Sequence, residues 1–283
     1  MSYIEINNIT KAFGNTVALD NLTLSLEQNK IYGLLGRNGA GKTTLLNLIT
    51  NKLFPTEGEI LLDGDNVIEN DRALSKIYFM TEKNFYPDSM TVKGAFKWGK
   101  EFYSDFDKSY AESLSEKFSL NINKKIKSLS TGYKSIFKII MALSCNAPAI
   151  LLDEPVLGLD ANHRDLFYKE LLQSYSEKPR TIVISTHLIE EAADIIENAI
   201  VLKNGKILMN DSVENILSQG YSVSGNAGAV DTFIAGKNVL GTDALGGFKT
   251  AYLLEKINQS SIPDGIEVSK LDLQKLFIHM TNS

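Results

Sequence analysis

One stretch decides the fold of this chain: Gly36-Arg37-Asn38-Gly39-Ala40-Gly41-Lys42-Thr43-Thr44, which fits the pattern G-x-x-x-x-G-K-[ST]. Residues 31–35 before it predict a buried parallel strand, and residues 43–49 after it predict the opening of a helix. Glycines let backbone N–H groups turn inward around a polyphosphate, and a helix N-terminus adds about half a positive charge. A glycine-rich turn is the alternative, but the strand and helix on either side favour an ATP or GTP site. The phosphate-binding residues that we expect are Gly36, Asn38, Gly39, Ala40, Gly41, Lys42, Thr43 and Thr44.

Two side chains of this loop have further predicted roles. Lys42 can reach the β and γ phosphates, and the Thr43 hydroxyl can ligate Mg²⁺. A second motif, Ala149-Ile150-Leu151-Leu152-Asp153-Glu154-Pro155, reads as an apolar strand that ends in two acids. We expect Asp153 to hold the Mg²⁺ shell and Glu154 to polarise a water for attack on the γ-phosphate.

Composition narrows the class further. The 283 residues, 43% hydrophobic and 22% charged, are typical of one large or two smaller globular domains. A formal net charge of −5 argues against a protein that grips nucleic acid, so no nucleic-acid partner is expected. The single cysteine, Cys145, cannot form an intramolecular disulfide and is expected as a buried side chain in a reducing cytosol. No signal segment and no run approaching about 18 apolar residues is present, so separate subunits would have to supply any membrane part.

The pattern along the chain predicts an α/β core with additions. Alternation in the first thirty residues predicts antiparallel strands, residues 59–64, 77–80, 149–152 and 181–184 predict further strands, and 199–207 predict a hairpin turned at Asn-Gly. Residues 83–148 read as a helical insertion, and residues 190–196 as a helix. We expect a nucleotide-binding domain over residues 1–212 and a small accessory domain over 213–283. The latter closes with an amphipathic helix for which Ser269 is a plausible N-cap.

The segment Leu129-Ser130-Thr131-Gly132-Tyr133 carries a family resemblance. It is similar to the Leu-Ser-Gly-Gly-Gln signature that precedes the acidic strand in ATP-binding-cassette (ABC) proteins. A Ser hydroxyl and a Gly N–H at a helix N-terminus form an anion site. The resemblance implies that Ser130 and Gly132 clamp the γ-phosphate of ATP held by a second nucleotide-binding subunit, identical or homologous. It also implies the P-loop core with an antiparallel β-subdomain and a helical ABC subdomain.

Three more positions match the family in order along the chain. Phe13 lies where the family stacks an aromatic residue on adenine, although a core phenylalanine is the other reading. Asp160, in Gly158-Leu159-Asp160, matches the D-loop that contacts the other subunit. His187 matches the switch histidine that senses the γ-phosphate, which makes it the second expected catalytic residue beside Glu154. His163 and His279 are expected to be structural.

The signature and Q-loop positions depart from the family pattern. Glu82 stands where the family has a Gln near Mg²⁺, and a carboxylate there could approach the metal or point away. Thr131 and Tyr133 replace a glycine and a glutamine of the signature, so we predict a working but slower site. Nearby aromatic residues are expected in the core of the helical subdomain, and the lysines on a solvated face or steering the partner-bound nucleotide. These are Phe96, Trp98, Phe102, Tyr103 and Phe106, and Lys124, Lys125, Lys127, Lys134 and Lys138.

The same departures resemble the ATPase subunits of Gram-positive exporters of the YtrB and bacitracin-resistance type, and those that export phenol-soluble modulins. The resemblance implies an ATPase that powers export of a peptide or toxic amphipathic compound through separate transmembrane subunits. Such a subunit is cytoplasmic and peripheral on the inner face of the membrane. Two rival hypotheses remain: a soluble ABC ATPase that acts on DNA or ribosomes, and a regulatory ATPase that binds nucleotide but turns over poorly.

Overall fold

The computed structural model describes residues 2–87, 89–258 and 262–282. The strands are β1 Ser2–Phe13, β2 Thr16–Glu27, β3 Ile31–Gly36, β4 Glu57–Leu62, β5 Asp65–Asn66, β6 Ile77–Met80, β7 Ala149–Asp153, β8 Thr181–Thr186, β9 Asn198–Lys203, β10 Lys206–Ser212, β11 Gly220–Asn226, β12 Val239–Leu245, β13 Phe248–Leu254 and β14 Ile266–Lys270. The helices are α1 Lys42–Ile49, α2 Asp71–Leu74, α3 Val92–Phe102, α4 Lys108–Lys117, α5 Thr131–Ser144, α6 Ala161–Glu177, α7 Ile189–Ala192, α8 Val213–Gln219, α9 Ala227–Ile234 and α10 Leu273–Asn282, with a 3₁₀ turn at Ile126–Ser128.

A six-stranded sheet in the order β10-β9-β3-β8-β7-β6 forms the centre of the protein. All of its neighbouring pairs are parallel except β9 with β10. Every residue of β3, β7 and β8 is buried, which explains their continuous apolar sequences. Because parallel strands end at the same edge of a sheet, the loops after β3, β6, β7 and β8 meet there.

A second sheet, β2-β1-β4-β5, is antiparallel and packs against α1. Side chains that alternate along β1 and β2, such as Ile4, Ile6, Leu24 and Leu26, share one apolar core with Leu45 and Leu46 of α1. The alternation in the first thirty residues therefore predicts this sheet correctly. Its packing holds the start of α1, and thus the loop before it, in place.

Helices α3, α4 and α5 form a layer at the β6 side of the central sheet. Each begins at a residue whose side-chain oxygen accepts a backbone N–H, namely Thr91, Asp107 and Ser130. The middle of α5 is wholly buried, and Phe96 and Phe137 are among the largest buried side chains. These features match the fold class that the sequence predicts.

The C-terminal part contains a four-stranded antiparallel sheet, β12-β13-β11-β14. Helix α9 covers it through a small core that includes Val223, Val230 and Leu253. Helices α8 and α10 instead add Ile216 and Leu276 to the main core, beside residues of α7. Apolar packing thus continues across residue 213, and the boundary between 212 and 213 remains a prediction.

Two local predictions are wrong. The helix expected over 190–196 ends at Ala192, because the chain turns there and the Glu197 N–H donates to the Ile31 carbonyl at 2.9 Å. Ser269 does not begin the last helix, since it pairs with Ser222 inside β14. The Asp272 carboxylate instead accepts the Lys275 N–H at 2.7 Å at the start of that helix.

Among the residues that the structure describes, no helix combines the length and the apolar character that crossing a membrane requires.

Candidate functional site

A cavity of about 420 Å³ lies where the loops after β3, β6, β7 and β8 meet. Its walls come from the phosphate-binding loop and from those neighbouring loops, so residues far apart in sequence share one space. The lining residues are Ala18, Arg37, Asn38, Gly39, Ala40, Gly41, Lys42, Thr43, Thr44, Glu82, Glu154, Leu157 and His187.

The loop needs glycine at two of its positions. Gly39 and Gly41 have φ of 84° and 109°, a region that side chains strongly disfavour. A Cβ at Gly41 would also lie 2.9 Å from the Ala18 carbonyl oxygen of β2. The close approach of β2 therefore fixes the loop immediately before the N-terminus of α1, as an anion-binding turn requires.

Lys42 is buried at the wall of this cavity, with 7% of its surface exposed. Its ammonium donates to the Gly36 carbonyl at 2.6 Å and lies 3.9 Å from the Glu154 carboxylate. Burial lowers the pKa of Lys42, while the charges of Glu154 and Asp153 oppose that shift. A bound polyphosphate would supply the negative charge that this desolvated ammonium needs.

Asp153 and Thr43 are joined at the tip of β7. The Thr43 hydroxyl donates to Asp153 Oδ2 at 2.9 Å, and the buried Oδ1 atom has no hydrogen-bond partner. Within the described parts of the chain, no cluster of three or more His, Cys, Asp or Glu side chains forms a metal site of its own. One carboxylate, a hydroxyl and nucleotide phosphates are a donor set that Mg²⁺ accepts, so these residues fit that ion.

Glu154 and His187 form a pair at the mouth of the cavity. His187 Nδ1 lies 2.8 Å from Glu154 Oε2. Glu154 has φ of 48°, an unfavourable value for a non-glycine residue, and its N–H donates to the Ser185 carbonyl at 2.9 Å. This backbone conformation directs the Glu154 carboxylate into the cavity. Backbone strain of this kind is common at functional sites.

Glu82 and Phe13, two other expected site residues, differ in their positions relative to the cavity. Glu82 lines the cavity, so the loop after β6 does reach the nucleotide side. Phe13 does not line it, yet it is 48% exposed, which contradicts the reading as a core residue. The Lys11 ammonium lies 5.0 Å from the centre of the Phe13 ring. An exposed aromatic face beside β2 is consistent with a role in stacking.

Ser130, Gly132 and Asp160, which we term the signature edge, do not line the cavity. Ser130 caps α5 by accepting the Tyr133 N–H at 3.3 Å, and Asp160 caps α6. Hydrogen bonds from the His163 N–H and ring lower the pKa of the Asp160 carboxyl. A Cβ at Gly132 would lie 2.7 Å from the Gly158 carbonyl oxygen, so the two turns are in close contact.

A second cavity, of about 560 Å³, lies on the other side of the loop after β6, and we term it the aromatic groove. Trp98 and Phe102, expected in a core, are 46% and 72% exposed there, whereas Phe96 and Phe106 are buried as expected. The difference arises because helix α3 buries one face and presents the other. The groove is lined by Asp71, Leu74, Ser75, Tyr78, Phe79, Met80, Thr81, Lys83, Phe85, Tyr86, Trp98, Gly99, Phe102, Tyr103, Lys138 and Met141.

Three residues that line the cavity were not expected from the sequence, and one lysine is buried although a solvated position was expected. Ala18, Arg37 and Leu157 line the cavity. Arg37 lies inside the quoted loop, whereas nothing in the sequence around Ala18 or Leu157 marks those two positions. Lys138, expected with the solvated lysines, is only 8% exposed. It occupies the buried side of α5, while Lys124, Lys125 and Lys127 are exposed.

A phosphate-binding loop between a buried parallel strand and a helix, with two acids at the tip of a nearby strand, defines a P-loop nucleoside triphosphatase. The family model described as ABC transporter matches residues 19–157. The ABC transporter ATP-binding protein YtrB of Bacillus subtilis is 33% identical over 66% of this chain, which spans 64% of YtrB. The bacitracin transport ATP-binding protein BcrA of Enterococcus faecalis is 31% identical over 75% of this chain and 70% of BcrA.

The solved dimeric structure of the ATP-binding cassette MJ0796, in a post-hydrolysis state bound to ADP and Pi, is 26% identical with a TM-score of 0.65. The match covers 74% of this chain and 98% of that structure's chain. The chain belongs to the ABC transporter family and is an ATP-binding subunit with the ATPase cassette of that family.

Proposed function

We propose that this chain powers export of a peptide or toxic amphipathic compound by hydrolysing ATP beside separate membrane subunits. The observation that carries the proposal is the 2.8 Å contact between His187 and Glu154 at a cavity lined by an intact phosphate-binding loop. The relatives named for transport, YtrB and BcrA, support the transport role, and bacitracin gives the example of a peptide.

Phosphate binding is assigned to the loop and to Lys42. The N–H groups before α1 bind phosphate oxygens, and the Lys42 ammonium exchanges its bond to Gly36 for the β and γ phosphates. The exchange is favourable because a buried ammonium gains a charged partner in place of a neutral carbonyl. Phe13 supplies an exposed ring on which adenine stacks.

Glu154 is the general base that takes a proton from the attacking water, and His187 holds that carboxylate by their 2.8 Å contact. His187 also lines the cavity, so it can bind the γ-phosphate. When bound, Mg²⁺ neutralises phosphate charge. Thr43 Oγ1 and the unpartnered Asp153 Oδ1 are its proposed ligands, and Glu82 lines the same cavity.

A second copy, or a homologous subunit, completes the site in this proposal. Ser130, Gly132 and Asp160 lie outside their own chain's cavity, and the cassette MJ0796 is dimeric with ADP and Pi bound. Two nucleotides held between two chains would make ATP binding and dimer formation one event. ATP then shifts the population toward the closed dimer because it binds that state more tightly.

The aromatic groove is the proposed docking site of the membrane subunits. Its exposed Trp98, Phe102 and Phe85 form an apolar surface beside the loop that carries Glu82. Large exposed aromatic side chains are typical of protein interfaces. Docking there would hold the chain peripherally on the inner face of the membrane.

The test is Glu154→Gln in the full chain. Loss of the carboxylate should lower ATP turnover at least about a hundredfold, while ATP and Mg²⁺ trap a dimer detectable by size-exclusion chromatography with light scattering. Glu177→Gln, on the surface end of α6, is the matched control and should behave as wild type. Undiminished hydrolysis by the Glu154 variant would refute the mechanism.

A regulatory ATPase is the second candidate, and Thr131 favours it because it replaces a signature glycine and its methyl group lies beside Gly158. Steady-state turnover of the wild-type chain, measured with ATP and Mg²⁺, separates the two candidates. Binding without turnover would favour regulation.

A further inference from the structure

Lys138 is a buried lysine whose bonds lead to the loop after β6. Its ammonium donates to the Thr81 carbonyl at 2.9 Å and to the Glu82 carbonyl at 2.5 Å. Only 8% of the residue is exposed. A buried ammonium stabilises a structure only where it has strong acceptors, so these two carbonyls account for its presence.

The loop that Lys138 binds separates the two cavities. Thr81 and Lys138 line the aromatic groove, whereas the next residue, Glu82, lines the nucleotide cavity. Residues 81–87 contain neither helix nor strand, so their backbone conformation depends on contacts with other elements. The principal polar contact that α5 makes with this loop is the pair of bonds from Lys138.

Helix α5 is a rigid support for these bonds. Its residues on either side of Lys138 are fully buried, and Tyr86 packs edge-on against Phe137 with ring centres 4.9 Å apart. Charged groups that act on Lys138 are the Glu82 carboxylate and the Lys134 ammonium. Burial lowers the pKa of Lys138, and Glu82 partly opposes that effect. The same helix begins at Ser130, so one element contacts both the Glu82 loop and the signature edge.

We propose that Lys138 is a positioning residue, which fixes the loop after β6 so that the Glu82 carboxylate stays at the nucleotide cavity. This inference rests on the proposed function, in which Glu82 lines the cavity that holds ATP and Mg²⁺. Lys138 would thereby contribute to nucleotide binding, although it lines the aromatic groove.

A double-mutant cycle on the full chain tests the proposal. Lys138→Met removes the donors and keeps most of the side-chain volume, and Glu82→Ala removes the carboxylate. The readout is the Mg²⁺ concentration that half-maximally tightens binding of a fluorescent ATP analogue. Each single variant should raise it by about tenfold, and the double variant should raise it no further, because in the proposal both act through the Glu82 carboxylate.

Three controls separate positioning from general stability. Lys138→Arg keeps the donors and should restore most of the Mg²⁺ dependence, while Lys97→Met, at an exposed site on α3, should have no effect. Amide hydrogen exchange of residues 82–87 should accelerate in Lys138→Met without a comparable change in the strands of the central sheet. If Lys138→Met does not fold, Lys138→Ala, which also removes the donors, takes its place in the cycle.

The cycle can also refute the proposal. Independent effects that multiply to about a hundredfold would show that Lys138 does not act through Glu82. An unchanged Glu82→Ala variant beside an impaired Lys138→Met variant would do the same. If the wild-type chain does not bind the ATP analogue, the nucleotide site itself is refuted. Failure of the proposed function is therefore distinguishable from failure of the Lys138 proposal.

Discussion

The nucleotide cavity and the signature edge each include the N-terminus of a helix but are built differently. In the cavity, Lys42 at the start of α1 lies beside Glu154, and Glu154 contacts His187 from another loop. The signature edge exposes Ser130 and Asp160 at helix N-termini, where they cap their own helices. The cavity is thus assembled within the chain, whereas the signature edge presents a surface.

The nucleotide cavity and the signature edge also differ in the contacts that hold them in place. Lys42 and Asp153 are desolvated and held by a packed sheet, so their arrangement persists without ligand. The signature edge is held by the close contact of Gly132 with Gly158, by helix caps and by the Ser135 hydroxyl, which donates to the Leu157 carbonyl at 2.9 Å. We expect substitutions in the phosphate-binding loop of the cavity to act on nucleotide affinity and those at the signature edge to act on turnover.

Lys42→Ala should have the largest effect, because it removes the only side-chain ammonium among the residues that line the cavity. We expect affinity for a fluorescent ATP analogue to fall at least about a hundredfold, the loss typical of two charge-assisted hydrogen bonds. Lys169→Ala, at an exposed position of α6, is the control. An affinity within a few-fold of wild type would contradict the role of the Lys42 ammonium in nucleotide binding.

Gly132→Ala tests the signature edge separately from the nucleotide cavity. The new Cβ would lie 2.7 Å from the Gly158 carbonyl oxygen, so the turn must shift. We expect ATP turnover to fall about tenfold while affinity of the isolated chain for nucleotide stays within about twofold. Gly247→Ala has no neighbouring atom within 4 Å and serves as the control. A parallel loss of affinity would place the signature at its own chain's site.

Mixing the Lys42→Ala and Gly132→Ala variants sharpens the comparison further. In a mixed pair both changes fall on one site, so the other site has a wild-type loop and a wild-type signature. Turnover of an equimolar mixture should recover to about a quarter of wild type, since half of randomly formed pairs carry one intact site. No recovery would argue that the two halves act within one chain.

The smallest effect concerns the far end of α5, where Cys145 is fully buried. Burial raises the pKa of the Cys145 thiol to about 12 from an ordinary value of 9.0. The unfolded chain therefore loses this proton first as the pH rises above 9, and the free energy of unfolding falls. Between pH 8 and pH 10, wild type should lose about 1 kcal/mol more than Cys145→Ala in urea unfolding. Equal losses would show that the thiol ionises as readily in the folded chain.

Local sequence was enough to predict much of this site. The phosphate loop, Glu154 and His187 each follow a buried apolar strand, and Asp153 is the last residue of one. Short-range pattern identifies such strands well. The hairpin turn at Asn204-Gly205 was likewise predictable, because both residues adopt positive φ there. Local pattern failed for Ser269, where β-pairing overrode a capping residue type.

What the sequence by itself determined is the chemistry: a phosphate-binding loop, two acids at a strand tip and a histidine after the neighbouring strand, each set by residues adjacent in the chain. Only the tertiary structure decided which side chains share a cavity and which stay exposed. Lys138 became a buried donor, Trp98 and Phe102 came to line a groove, and Ala18 and Leu157 joined the nucleotide cavity. The physical reason is that burial depends on which elements pack together, and packing joins residues that no local pattern relates.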